Sequence, residues 1–181
     1  MEKPSGQVAS EADRGSQNES GSVVAAQVIF RQSSPPIDLE DLLARLQTRL
    51  SYPCSRTKWV GLTTTIPQIR ISTPTLMFLQ IEDDPSYVPE EIREIAETAK
   101  ESFDAATASR IAKCDVRIDI LGPAIDSPLQ DKRSLEVGAA KLLDPSRPEI
   151  DATLRVIADT VGGYVYDNVN GKWLYAFKNG V

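Results

Sequence analysis

The chain has 181 residues, 41% hydrophobic and 25% charged, and its 20 Lys and Arg against 26 Asp and Glu leave a net charge of −6 at neutral pH. That is the composition of one soluble domain with one core, and the sign of the charge excludes nucleic acid or an anionic lipid surface as an expected partner. Histidine is absent, which removes His-activated Ser or Cys nucleophiles, His-ligated metals and His-based pH switching.

In chain order, residues 1–22 are rich in Gly, Ser, Gln, Asn and Glu without one aromatic residue, and are expected to form a disordered tail before a single domain over 23–181. They lack the charged-then-apolar pattern of a secretory signal, and no run reaches the ~20 apolar residues of a membrane span, so a cytoplasmic location and no membrane association are expected. Val23–Arg31 reads as the first strand, ended by Ser33-Ser34-Pro35-Pro36. Asp38 then caps a helix in which Leu39, Leu42, Leu43, Leu46 and Leu50 fall on one stripe.

Cys54 and Cys114 are the only cysteines, too few for a disulfide framework or a four-cysteine zinc site, and read as free thiols. Lys58–Thr64 and the alternation around Ile69 and Ile71 predict two strands before the apolar run Thr75–Ile81, which reads as the central buried strand. Glu82-Asp83-Asp84-Pro85 is a turn signal. Pro89, Glu90 and Glu91 open a second helix, with Ile92, Ile95, Ala96, Ala99, Phe103 and Ala106 as its buried stripe.

Cys114–Leu121 alternates, placing Asp115, Arg117 and Asp119 on one face, read as wet and as able to face Arg70 across the sheet. Asp126–Arg133 reads as a polar loop, Leu135–Leu143 as a short helix, and Pro148 as the start of a longer one that Gly162-Gly163 stops. Asn170-Gly171 predicts a hairpin turn, with Tyr166 opposite Tyr175 and Tyr164 opposite Phe177. The sum is an α+β fold: a ferredoxin-like (split β-α-β) sheet with helices on one face, plus a C-terminal helix and β-hairpin.

Two features stand out as candidate binding surface. The acids Asp83, Asp84, Glu90 and Glu91, extended by Glu82, Glu94 and Glu97, could dock a basic partner, although such a run also suits a solvated helix start. Tyr164, Tyr166, Trp173 and Tyr175 are interface-type aromatics that could equally cap the core. No metal set, cofactor loop or catalytic set emerges. Asp115 and Asp119 would lie about 13 Å apart on a strand, beyond the separation of glycosidase carboxylates.

The block from Pro89 to Trp173, with Ala108-Ser109-Arg110-Ile111-Ala112-Lys113-Cys114 leading into Asp115–Asp119 and a helix running into Gly162-Gly163-Tyr164-Val165-Tyr166-Asp167, resembles small acidic bacterial α+β domains encoded near secreted toxins. The resemblance implies an immunity-type inhibitor that occludes a basic toxin domain, with no catalytic residue carried over. The expectation is a non-enzymatic protein-binding domain of unspecified oligomeric state. A small-ligand-binding or sensing domain stands second, and a carboxylate-dependent enzyme third.

Overall fold

The computed structural model describes residues 21–60, 63–123, 138 and 140–178. The expected tail therefore lies outside the described residues, except that Gly21 and Ser22 already belong to β1 (Gly21–Arg31). The Asp126–Arg133 loop lies outside them too. Of the expected Leu135–Leu143 helix, residues 138, 140 and 141 are helical.

After β1 come α1 (Leu39–Arg49), β2 (Cys54–Val60), β3 (Thr65–Ser72), β4 (Leu76–Glu82), α2 (Val88–Ile95), a 3₁₀ turn (Ala96–Thr98), α3 (Ala99–Ser102), α4 (Ala105–Ile111), β5 (Val116–Pro123), α5 (Pro148–Val161), β6 (Tyr164–Asp167) and β7 (Lys172–Ala176). Among the described residues the strands make one seven-stranded sheet, ordered β2-β3-β4-β5-β1-β6-β7, with antiparallel neighbours throughout. The fold is α+β, but the split β-α-β order expected over 23–121 is not the one seen. That order would leave one strand between β1 and β2, and here β5, β4 and β3 lie between them.

The expectation of helices on one face is also corrected, because both faces are covered. On the first, α1 and α5 bring Leu42, Leu46, Ile150, Leu154 and Ile157 onto Ile29, Ile71, Leu79 and Ile118. On the second, Val88, Ile92, Ala99 and Ile111 of α2, α3 and α4 cover Val28, Phe30, Phe78 and Leu121. Period-two alternation is why one strand feeds two cores: in β4 Met77 and Leu79 point one way and Phe78 the other, all fully buried. The central apolar run of the sequence is thus an inner strand, flanked by β3 and β5.

The helix expected from Pro89 through Ala106 is broken. Asp104 accepts a hydrogen bond from the Thr107 backbone N–H at 2.7 Å and caps α4 as a new helix. The restart shifts the helical phase, so Ala106 is exposed while Ala108 and Ile111 are buried. β2 begins four residues earlier than expected because it is an edge strand, whose Ser55, Arg56 and Lys58 are exposed and leave no apolar run to mark its start.

Two side-chain and backbone details lock α5 to the sheet. The buried Arg31 guanidinium donates to the Val161 carbonyl at 3.0 Å, a cation at the negative end of the helix dipole. Gly162 ends the helix at φ 69°, and at Gly163 a Cβ would sit 2.4 Å from Ile29 Cγ2, so only glycine lets the chain turn this close to β1.

Cys54 and Cys114 are free and lie in opposite cores. Burial pushes the Cys114 thiol up to about 12. A thiol whose pKa is raised on folding contributes stability that is complete below its unfolded value and is lost as pH rises towards the folded one. Between pH 8 and pH 10 the wild type should therefore lose about 2 kcal/mol more than Cys114→Ala in urea titrations, given ~1.4 kcal/mol per pH unit above an unfolded pKa near 8.5. Equal losses would show that the thiol is reached by solvent.

Candidate functional site

The acidic segment runs from the end of β4 into α2. Asp83, Asp84 and Glu90 are exposed. Asp84 is organised locally: its Oδ1 accepts from the Ser86 backbone N–H at 2.8 Å and the Ser86 hydroxyl at 2.7 Å, which holds its carboxyl below the usual carboxylate range. Glu97 is paired with Lys100 at 2.6 Å.

Glu91, expected among the partner-binding acids, turns inward instead. Both its oxygens accept from Arg117 Nη1 at 2.6 Å, and Arg117 Nε donates to Asp119 at 2.6 Å. The face carrying Arg117 and Asp119, expected to be wet, lies under α2 with Arg117 only 9% exposed. Arg70 is not part of it, since β4 lies between β3 and β5 and Gln80 stands opposite Asp119. Burial alone would lower the Arg117 pKa, but Asp119 and Glu91 outweigh it and raise it, so the guanidinium stays charged. Two carboxylates share this one cation in partial burial, and desolvation pushes Asp119 up.

The sequence reading did not single out Tyr87. It is 51% exposed at the head of α2, with its hydroxyl 3.3 Å from Arg117 Nη1 and the Arg117 guanidinium 5.7 Å from its ring centre. The buried ion cluster thus holds a surface aromatic among exposed acids. Its sequence signal was only its place between Asp84-Pro85 and Val88-Pro89, where a turn meets a helix start.

The hairpin aromatics are brought together, but inside the protein. Tyr164 is 3% exposed and Trp173 5%, and Tyr166 and Tyr175 are also buried. Trp173 lies 5.0 Å from Tyr166 and 5.9 Å from Phe30 between ring centres, and its indole N–H donates to Thr98 Oγ1 at 3.1 Å. Tyr175 points to the opposite face, where its hydroxyl donates to Asp159 at 2.8 Å. The four residues therefore bind the hairpin to two cores and present no patch.

The register differs from that expected: Tyr164 faces Ala176, Val165 faces Tyr175 and Tyr166 faces Trp173. The cause is the loop that Asp167 organises, together with a register shift between Val165 and Tyr166. The fully buried carboxylate of Asp167 accepts from the backbone N–H groups of Val169 and Asn170 at 3.1 and 3.2 Å, and from Asn170 Nδ2 at 2.7 Å. Asp at the start and Gly171 at φ 65° close a four-residue loop over 168–171 in place of a two-residue turn on Asn170-Gly171.

A cavity of about 270 Å³ opens beside this loop, between Gln27 and Asp167 on one side and Ala140, Lys141, Asp144 and Pro145 on the other. No group of three or more Cys, Asp or Glu among the described residues could hold a metal ion. No helix among them is long and apolar enough to cross a membrane. No protein-family model matches the chain, and no curated protein and no solved structure matches it.

Because Trp173 fills the second core, Trp173→Ala should lower the unfolding free energy by about 3–5 kcal/mol in chemical denaturation. A variant with unchanged stability would place the indole at the surface.

Proposed function

We propose that this chain is a non-enzymatic protein-binding domain that docks a basic partner on the turn before α2, with Tyr87 as the aromatic anchor and Asp83, Asp84 and Glu90 as the surrounding charge. The observation that carries the reading is Tyr87 itself. A half-exposed ring held by a buried guanidinium is ordered before any partner arrives, so little side-chain entropy remains to be lost on binding. Acids around it supply a field that attracts a basic surface and orients the encounter.

The resemblance to immunity-type domains fits this chemistry, with occlusion of a toxin's cationic substrate groove as the form that inhibition would take. The hairpin aromatics have no place in the interface, because exposing them would open both cores. The surface is thus smaller than the sequence suggested and lies on one turn and the helix that follows it.

Surface plasmon resonance against the partner recovered by affinity purification tests the reading. Tyr87→Ala should raise the dissociation rate at least tenfold, as expected of an anchor worth about 1.4 kcal/mol or more. Reversing Asp83 and Asp84 to lysine should mainly slow association and flatten its salt dependence. Binding that survives both changes intact would overturn the proposal.

A further inference from the structure

β2 is an outer strand of the sheet among the described residues, and its ladder with β3 shows which backbone groups it leaves open. In an antiparallel pair, residues alternate between turning N–H and C=O towards the partner strand and turning both away. The Ser72 N–H donates to the Pro53 carbonyl at 2.9 Å, so Ser55, Thr57 and Trp59 face β3 in the same phase and Cys54, Arg56 and Lys58 turn outward. Pro67, which has no N–H to give, accordingly stands opposite Lys58. The Cys54 carbonyl is taken from outside the ladder by Gln47 Nε2 of α1 at 3.1 Å. Among the described residues no strand or loop backbone pairs with the outward groups of Arg56 and Lys58.

Charge selects the strand that can add there. Arg56 and Lys58 are both exposed and, by period-two alternation, share the face on which Cys54 is buried, in a chain whose net charge is −6. Arg56 is paired with Glu40, but each side chain is more than half exposed, where such a pair contributes little and is readily shared. Lys58 makes no ion pair among the described residues. A second copy of β2 is a poor occupant. Centred on Thr57 it sets Arg56 against the other copy's Lys58, and centred on either cation it sets that cation against itself. An acidic strand has no such conflict: carboxylates two residues apart fall opposite Lys58 and Arg56. The residue preceding the first of them then lies beside Trp59, a half-buried ring on the other face.

We propose that the β2 edge takes an extended acidic segment of a partner protein, added antiparallel like every other strand pair of the sheet, with alternate carboxylates on Lys58 and Arg56 and an apolar residue against Trp59. This surface is separate from the Tyr87 turn and selects the opposite charge. β3 and β4 lie between β2 and β5, the strand whose Arg117 holds Tyr87.

The test is a titration of the full ¹⁵N-labelled chain with the acetylated and amidated peptide Thr-Ile-Glu-Val-Glu-Thr, up to about 10 mM, past the range of millimolar sites. The amide hydrogens of Arg56 and Lys58 should exchange several-fold more slowly, while that of Thr57, already inside the ladder, should change little. The peptide Thr-Ile-Lys-Val-Lys-Thr should give no protection. Methylating the backbone nitrogens of the two glutamates should abolish the effect, because the charge stays and the hydrogen bonds to β2 go. Lys58→Glu, an exposed change outside the β3 ladder, should weaken binding at least tenfold. Absence of protection by the acidic peptide, equal protection by the lysine or N-methylated peptide, or unchanged affinity in Lys58→Glu would each overturn the proposal. So would protection of the two amides that rises with chain concentration before any peptide is added, which would put a second copy on the edge.

Discussion

Coverage of the sheet on both faces is the constraint from which the rest of the structure follows. A strand buried on two sides has no solvent face for a polar residue, so each polar side chain on β1 and β5 must find a partner inside the protein. Arg31 finds the C-terminus of α5, and Arg117 finds Glu91 and Asp119. Gln27 gives its amide N–H to the Leu143 carbonyl, while its Oε1 has no hydrogen-bond partner among the described residues. The two arginines tie helices of opposite layers to the sheet, Arg31 through the last carbonyl of α5 and Arg117 through Glu91 of α2.

How much of this could be read in the sequence depends on whether the signal was local. Strong periodicity located β1, α1, β4, β5 and α5 within a few residues, because each buries a stripe or a run that needs no knowledge of its neighbours. The reading of Arg117 as solvated failed for a nonlocal reason: alternation shows that two faces differ, and only packing shows that a helix carrying Glu91 lies over the polar one. The continuous helix from Pro89 failed for a local one, since Asp104 was a capping residue in plain view, three positions before the Thr107 amide it accepts from.

The candidate site was half legible. Acidic residues at a helix start are visible in any sequence, and Asp83, Asp84 and Glu90 are indeed exposed. The aromatic half was misplaced because composition cannot distinguish an interface anchor from a core wedge; both need a large ring with one polar handle. Trp173 gives its N–H to Thr98 and Tyr175 its hydroxyl to Asp159, both inside the molecule, while the unremarked Tyr87 keeps half its surface outside. Gln27 was invisible as a buried polar group, since a glutamine in an apolar strand carries no mark of whether its amide is satisfied.

The place of β1 between β5 and β6 has a consequence for synthesis of the chain. β1 is synthesised before the other described strands, yet Gln27, Val28, Ile29 and Phe30 acquire their second row of partners only when Asp167, Tyr166, Val165 and Tyr164 have been made. Until then an apolar strand shows an open edge of N–H and C=O groups, the template on which a second nascent chain can add. The β6–β7 hairpin therefore acts as an intramolecular guard for β1, and a ribosome that stalls before Tyr164 leaves behind a fragment prone to aggregate.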